Sequence, residues 1–168
     1  VSTPLPLILT DAGLVLGDGA TPTEAFEELA CTVTHLELTP ETATTTVDTM
    51  CGSTDYPGTV KWSLIATLVQ SFDPDATEDV LSAAVAAGGP VGFKVIPYKS
   101  QPVSATNPMW TGQVIPEAYA PISGDAGDVS TIEIDWAVVG TPTKETSGTY
   151  TPVMAMAGAS SSPEPVEV

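Results

Sequence analysis

The chain has 168 residues, of which 21 are acidic and only 4 basic, all four of them lysines, giving a formal net charge of −17. Proteins that grip DNA or RNA neutralise phosphates with clustered Lys and Arg, and Lys61, Lys94, Lys99 and Lys144 are too few and too scattered for that. The same arithmetic excludes a polybasic membrane-surface binder, and no stretch approaches the roughly 18 apolar residues of a spanning helix.

The acidity does not imply disorder, because 42% of the residues are hydrophobic, and disordered chains pair high charge with low hydrophobicity. The length fits one domain plus tails. Thr (24) and Val (18) make up a quarter of the chain, and β-branched residues favour pleated surfaces, so the composition predicts a mainly β protein. The opening residues VSTPLPLILTDAG lack the positive flank of a secretory signal, so passage through a secretory export machinery is not expected.

In chain order, residues 1–26 carry two apolar patches, Leu5 to Leu9 and Leu14 to Leu16, expected to form a lightly structured arm or short edge strands. ACTVTHLEL (30–38), TPET and ATTTVDTMC (43–51) predict a β-hairpin turning about Glu41, which would set Cys31 opposite Cys51. Directly opposed positions strain a disulfide, so two packed thiols are the plainer reading, with an oxidised pair as the alternative. Neither cysteine sits in a zinc-ligand spacing.

GSTDYPG (52–58) has the composition of a loop. VKWSLIATLVQSF (60–72) predicts a long strand with Val60, Trp62, Leu64, Ala66 and Leu68 on one face and Lys61, Ser63, Ile65, Thr67 and Val69 on the other. Its second face is mixed, which predicts cover from a core or a neighbouring subunit. One short helix follows at 76–87, with Asp75 and Glu78 as a capping box, Val80, Leu81, Ala84 and Val85 as a buried stripe, and Gly88, Gly89 and Pro90 as the stop. The acidic run from Asp73 fails as a calcium loop, since Glu78 stands where the turn glycine belongs and Ala84 where the bidentate glutamate belongs.

VGFKVIPY (91–98), WTGQVIPEAY (110–119) and STIEIDWAVVG (130–140) predict three more strands. The last alternates cleanly, with Ile132, Ile134, Trp136 and Val138 inward and Thr131, Glu133, Asp135 and Ala137 outward. The remainder is rich in small residues, Pro and Ser, with one weak strand expected near Val153 to Met156. The predicted organisation is an N-terminal arm (1–26), a β domain (27–142) and a C-terminal extension (143–168).

No catalytic constellation emerges from these residues. His35 is a lone strand histidine, and Cys31 would stand about 13 Å from it along a strand, too far for a dyad. There is no nucleophile elbow, and the glycines make no phosphate loop. Glu133 and Asp135 share a strand face as an ordinary solvated pair would. Trp62, Trp110 and Trp136 are expected in the core, or alternatively as a sugar-binding platform. The expectation is a non-catalytic protein with no metal or cofactor.

From about Glu28 to Pro142 the order of segments resembles the major tail tube proteins of long-tailed, siphovirus-type bacteriophages, especially those of actinobacterial hosts. The resemblance rests on LACTVTHLELTPE, the return strand ending in MCGS, YPGTVKWSLIATLVQSFDPD, the short helix, VGFKV, WTGQVIPEAY and STIEIDWAVVGTP. It implies a β-sandwich or barrel with one flanking helix, assembled as hexameric rings stacked into a hollow tube through which a genome passes. It also implies a place in the virion tail after assembly in the host cytoplasm, with tape measure, terminator and distal tail proteins as partners. In such a tube Asp55, Tyr56 and Pro57, in the predicted loop, are expected at subunit contacts, and Glu117, Glu133 and Asp135 are expected to line the lumen. The alternative is a secreted β-sandwich that binds carbohydrate or a surface partner through Trp62 or Trp110.

Overall fold

A computed structural model of the chain describes residues 7–17, 26–29, 32–74 and 76–150. The segment with the cleanest alternation organises it. In β7 (Thr131–Val138), Ile132, Ile134, Trp136 and Val138 are buried while Glu133, Asp135 and Ala137 are exposed, as the period-two pattern requires. β7 runs antiparallel to β4 (Gly52–Val69) from Trp62↔Val138 to Val69↔Thr131. At its end, Ala137 and Val138 also pair with Ile115 and Val114 of β6 (Met109–Ile115). The chain stays on β6 thereafter, through Val139 N–H to Gln113 C=O (2.8 Å) and then β8 (Thr143–Glu145).

The resulting sheet is antiparallel and open, in the order β2-β1-β5-β6-β7-β4-β3, with β8 beside β6. Its other members are β1 (Gly13–Gly17), β2 (Phe26–Glu28), β3 (Val33–Thr49) and β5 (Val91–Ile96). The protein is mainly β with a single short helix among the described residues, α1 (Thr77–Ala86), as expected from composition. One core joins the two halves of the sheet: Leu14, Leu16, Phe93 and Val114 pack with Leu64, Leu68, Ile132, Ile134 and Trp136.

Helix α1 lies on this core through Val80, Leu81 and Ala84, with Val85, the fourth residue of the predicted stripe, partly buried against it. Its N-terminus differs from the expected capping box. The N-cap position is Ala76, with no side-chain cap, and Asp75 lies outside the described residues. The first turn is tied instead by Thr77, which is buried and donates its hydroxyl to the Val69 carbonyl (2.9 Å).

The predicted hairpin about Glu41 is not the one that forms. β3 continues through TPET, with Pro40 opposite Trp62 and Glu41 opposite Lys61, and returns as β4 after a tip at Met50 and Cys51. β3 is the last strand of the sheet, where a proline without an N–H is tolerated because that position can point away from the ladder. The Thr-rich run beyond it then keeps its strand preference. Val33 faces Leu68 and Cys51 is exposed at the tip, while Cys31, its expected opposite, lies outside the described residues. GSTDYPG is not a loop but the first part of β4.

Two other expectations change. β1 is no edge strand, since its five residues are buried between β2 and β5. β5, β6 and β7 stop short of the predicted ends, at Ile96, Ile115 and Val138. The segment near Val153 to Met156 lies outside the described residues, and β8, unmarked by any alternation, pairs with β6.

Because Trp136 is 1% exposed at the centre of the shared core, Trp136→Ala should lower unfolding free energy by about 3–5 kcal/mol in urea denaturation. Glu133→Ala, two residues away on the wet face, should change it by less than about 0.5 kcal/mol.

Candidate assembly surfaces

Two features lie outside the core: the wet face of the β3–β4–β7 layer and the free half of the β3–β4 hairpin. Residues opposite one another in register share a sheet face. His35, Thr67 and Glu133 therefore form one row of the wet face, and Glu37, Ile65 and Asp135 the next. Glu117 and Ala118, beyond the end of β6, complete a concavity of about 540 Å³ lined also by Ile134 and Trp136. The three carboxylates predicted from alternation, Glu117, Glu133 and Asp135, are all exposed and are brought together there. Glu37 belongs beside them, and its imidazole neighbour His35 stands 3.6 Å away. Sequence reading missed Glu37 because its place depends on the β3–β4 register, which the expected turn at Glu41 had wrong.

A hydrogen-bonded tether positions the segment that carries Glu117. Glu78, in the first turn of α1, accepts the Tyr119 hydroxyl (3.1 Å) and the Gln70 amide (3.0 Å), and the same amide also reaches the Pro121 carbonyl. Loss of water around the phenol, followed by its bond to the Glu78 carboxylate and the nearby negative charge, pushes the Tyr119 pKa up to about 12. Among the described residues no group of three or more His, Cys, Asp or Glu is arranged to hold a metal ion.

The second feature is an arm. From Glu41 through Val60 every residue is exposed, although the ladder between β3 and β4 continues to Thr49↔Gly52. At roughly 3.3 Å per residue this two-stranded ribbon reaches about 25–30 Å from the body. β7 supports β4 only as far as Trp62, so among the described residues both outer backbone edges of the arm are unpaired. Asp55, Tyr56 and Pro57 lie on this arm, opposite Thr46, Thr45 and Thr44. They are strand residues rather than loop residues, and well exposed, as subunit contacts need.

The arm is anchored at its root by aromatic packing. Trp62, opposite Pro40, packs on Trp110 with ring centroids 6.1 Å apart and planes tilted by 37°, and the Lys144 ammonium lies 5.8 Å from the Trp110 centroid. Trp136 is a core residue, whereas Trp62 and Trp110 are half-buried against each other.

No protein-family model matches the sequence, and no curated protein matches it. Solved structures do share the fold. A chain from the tail of an empty gene transfer agent particle, refined with helical C6 symmetry, superposes with a TM-score of 0.55 at 17% identity, covering 77% of this chain and 93% of that one. A chain from the virion of a native gene transfer agent particle gives 0.53 at 15%, covering 78% and 94%. A chain from the sheath–tube complex of an extracellular contractile injection system, PVC, in the extended state gives 0.55 at 12%, covering 84% and 92%. The fold is thus one shared with chains of gene transfer agent particles and of a contractile injection system.

The tether carries a pH signature. Tyr119 has a folded pKa of about 12 against an ordinary 10.0, so its stabilising bond is complete below pH 10 and is lost as pH rises through 12. The urea midpoint of the unaltered chain should exceed that of Tyr119→Phe at pH 9, and the gap should close as the pH approaches 12.

Proposed function

We propose that this chain is the tube protein of a phage-type tail, of the siphovirus type and from an actinobacterial host, assembling as hexameric rings that stack into a hollow conduit for genome delivery. One observation carries the reading: a chain with the fold of phage-tail-like particles holds a long two-stranded arm clear of its own core. An isolated ribbon is marginal in water, so the arm needs a partner, and another copy of the chain supplies one in a tube. Asp55, Tyr56 and Pro57 then lie at contacts between subunits, joined by the N-terminal arm. In this reading the body takes in β1 (Gly13–Gly17) and β8 (Thr143–Glu145) together with the expected segment 27–142.

The charge fits a conduit. Glu117, Glu133 and Asp135, with Glu37 alongside, face the lumen in this reading, where carboxylates repel phosphates at contact range and are screened beyond about 8 Å at physiological salt. DNA passes without adhering. Tape measure, terminator and distal tail proteins are the remaining partners, and the completed tube resides in the virion after assembly in the host cytoplasm.

Negative-stain electron microscopy of the purified chain should show rings or tubes with a central hole; a dispersed monomer at every concentration and salt would refute the reading. Each copy carries −17, so the critical concentration for assembly should fall as salt rises from about 0.01 to 0.15 M and the screening length shortens from about 30 to 8 Å. The double variant Glu133→Lys, Asp135→Lys should still form tubes but retain DNA in co-sedimentation at low salt, whereas tubes of the unaltered chain should not.

A further inference from the structure

The arm has two chemically different faces, and they are exchanged relative to the body. In the uninterrupted ladder from Thr44↔Pro57 to Thr49↔Gly52, Thr45, Val47, Thr54 and Tyr56 share one side, while Thr46, Asp48, Ser53 and Asp55 share the other. Every charge in this stretch is on the second side. Its carboxylates are already engaged there: Thr46 donates to Asp55 (2.6 Å), and Ser53 donates to Asp48. The first side has no charge, and its largest groups, Val47 and Tyr56, are 43% and 56% exposed.

Alternation along β3 shows the exchange. The side holding His35, Glu37 and Glu41 on the body continues as Thr45 and Val47 on the arm, and the side holding Leu36 and Leu38 continues as Thr46 and Asp48. The polarity crosses over at a bulge, where β4 places Gly58 and Thr59 against Ala43 alone. Only glycine fits there, since a Cβ on Gly58 would stand 2.5 Å from the Ala43 carbonyl oxygen.

Resting on the reading of the arm as a subunit contact, we propose that the uncharged Thr45, Val47, Thr54 and Tyr56 face docks on a second copy of this chain, while the Asp48 and Asp55 face stays in water. The occupant follows from the proposed tube, and the face follows from charge. A copy carrying −17 is repelled by a carboxylate face and must approach the arm from the neutral side, where apolar contact and the unpaired backbone edges favour it. The bulge is what brings Thr54 and Tyr56 of β4 to the side of Thr45 and Val47.

The test compares critical concentrations for tube formation, by pelleting and electron microscopy, for full-length variants. Val47→Asp and Tyr56→Asp should each raise the critical concentration by about tenfold or more, because each buries a charge in the contact. The double variant Asp48→Asn, Asp55→Asn should assemble within about twofold of the unaltered chain or more readily, since it only removes repulsion. All three should melt with the unaltered monomer, because the arm lies outside the core. In assembled tubes, hydroxyl-radical footprinting should find Tyr56 protected. The opposite ranking, equal tolerance of both kinds of change, or an unprotected Tyr56 overturns the proposal. Replacing 44–57 by an Asn-Gly turn separates the two levels. Unchanged assembly of that variant refutes the arm as a subunit contact, whereas lost assembly together with harmless Val47→Asp and Tyr56→Asp changes refutes only the choice of face.

Discussion

Where the chain passes Ala137 and Val138, its backbone is shared between two neighbours, Ser63 and Trp62 of β4 on one side and Ile115 and Val114 of β6 on the other. Upstream it belongs to β4, downstream to β6, and this change of partner links the two halves of the sheet. Without it the apolar face of β4 and β7 would not meet that of β1, β5 and β6. The core that joins Leu14, Phe93 and Val114 to Leu64, Ile134 and Trp136 depends on that link, and α1 then covers it through Val80, Leu81 and Ala84.

The same departure leaves β4 without a second neighbour beyond Trp62, so the hairpin runs on as an arm with two open edges. Such edges are an aggregation hazard in a monomer and a docking device in an assembly. The pair Trp62 and Trp110 closes the core at this point and holds the ribbon at its base. Thus one rearrangement of backbone hydrogen bonds produces both the body and the part of the chain left for a partner.

Much of the body was legible in the sequence, because burial writes itself into local period. Alternation in β7 identified its inward and outward residues, the stripe of α1 named its buried side chains, and both faces of β4 from Lys61 to Val69 were read correctly. The same logic marked Glu133 and Asp135 as outward, whereas Glu117, expected on a strand through 119, lies beyond the end of β6. The hairpin was misread because Pro40 and the YPG triplet are turn signals wherever they occur, and their tolerance within a strand depends on which edges are open. Glu37 was missed for the same reason, since its neighbours Ile65 and Asp135 are set by register.

By itself, then, the sequence determined the charge of −17, the β preference, the position of the helix and the buried side of β7 and of β4 from Lys61 to Val69. These follow from composition and from contacts between residues a few positions apart. Only the tertiary structure decided which strands are neighbours, where the long hairpin turns, and that β1 is interior while β3 is an edge. Strand pairing joins residues far apart in the chain, and its register is chosen by the shared core rather than by any local signal. The bulge at Gly58, which places acidic and neutral faces on opposite sides of the arm and the body, exists only once that register is set.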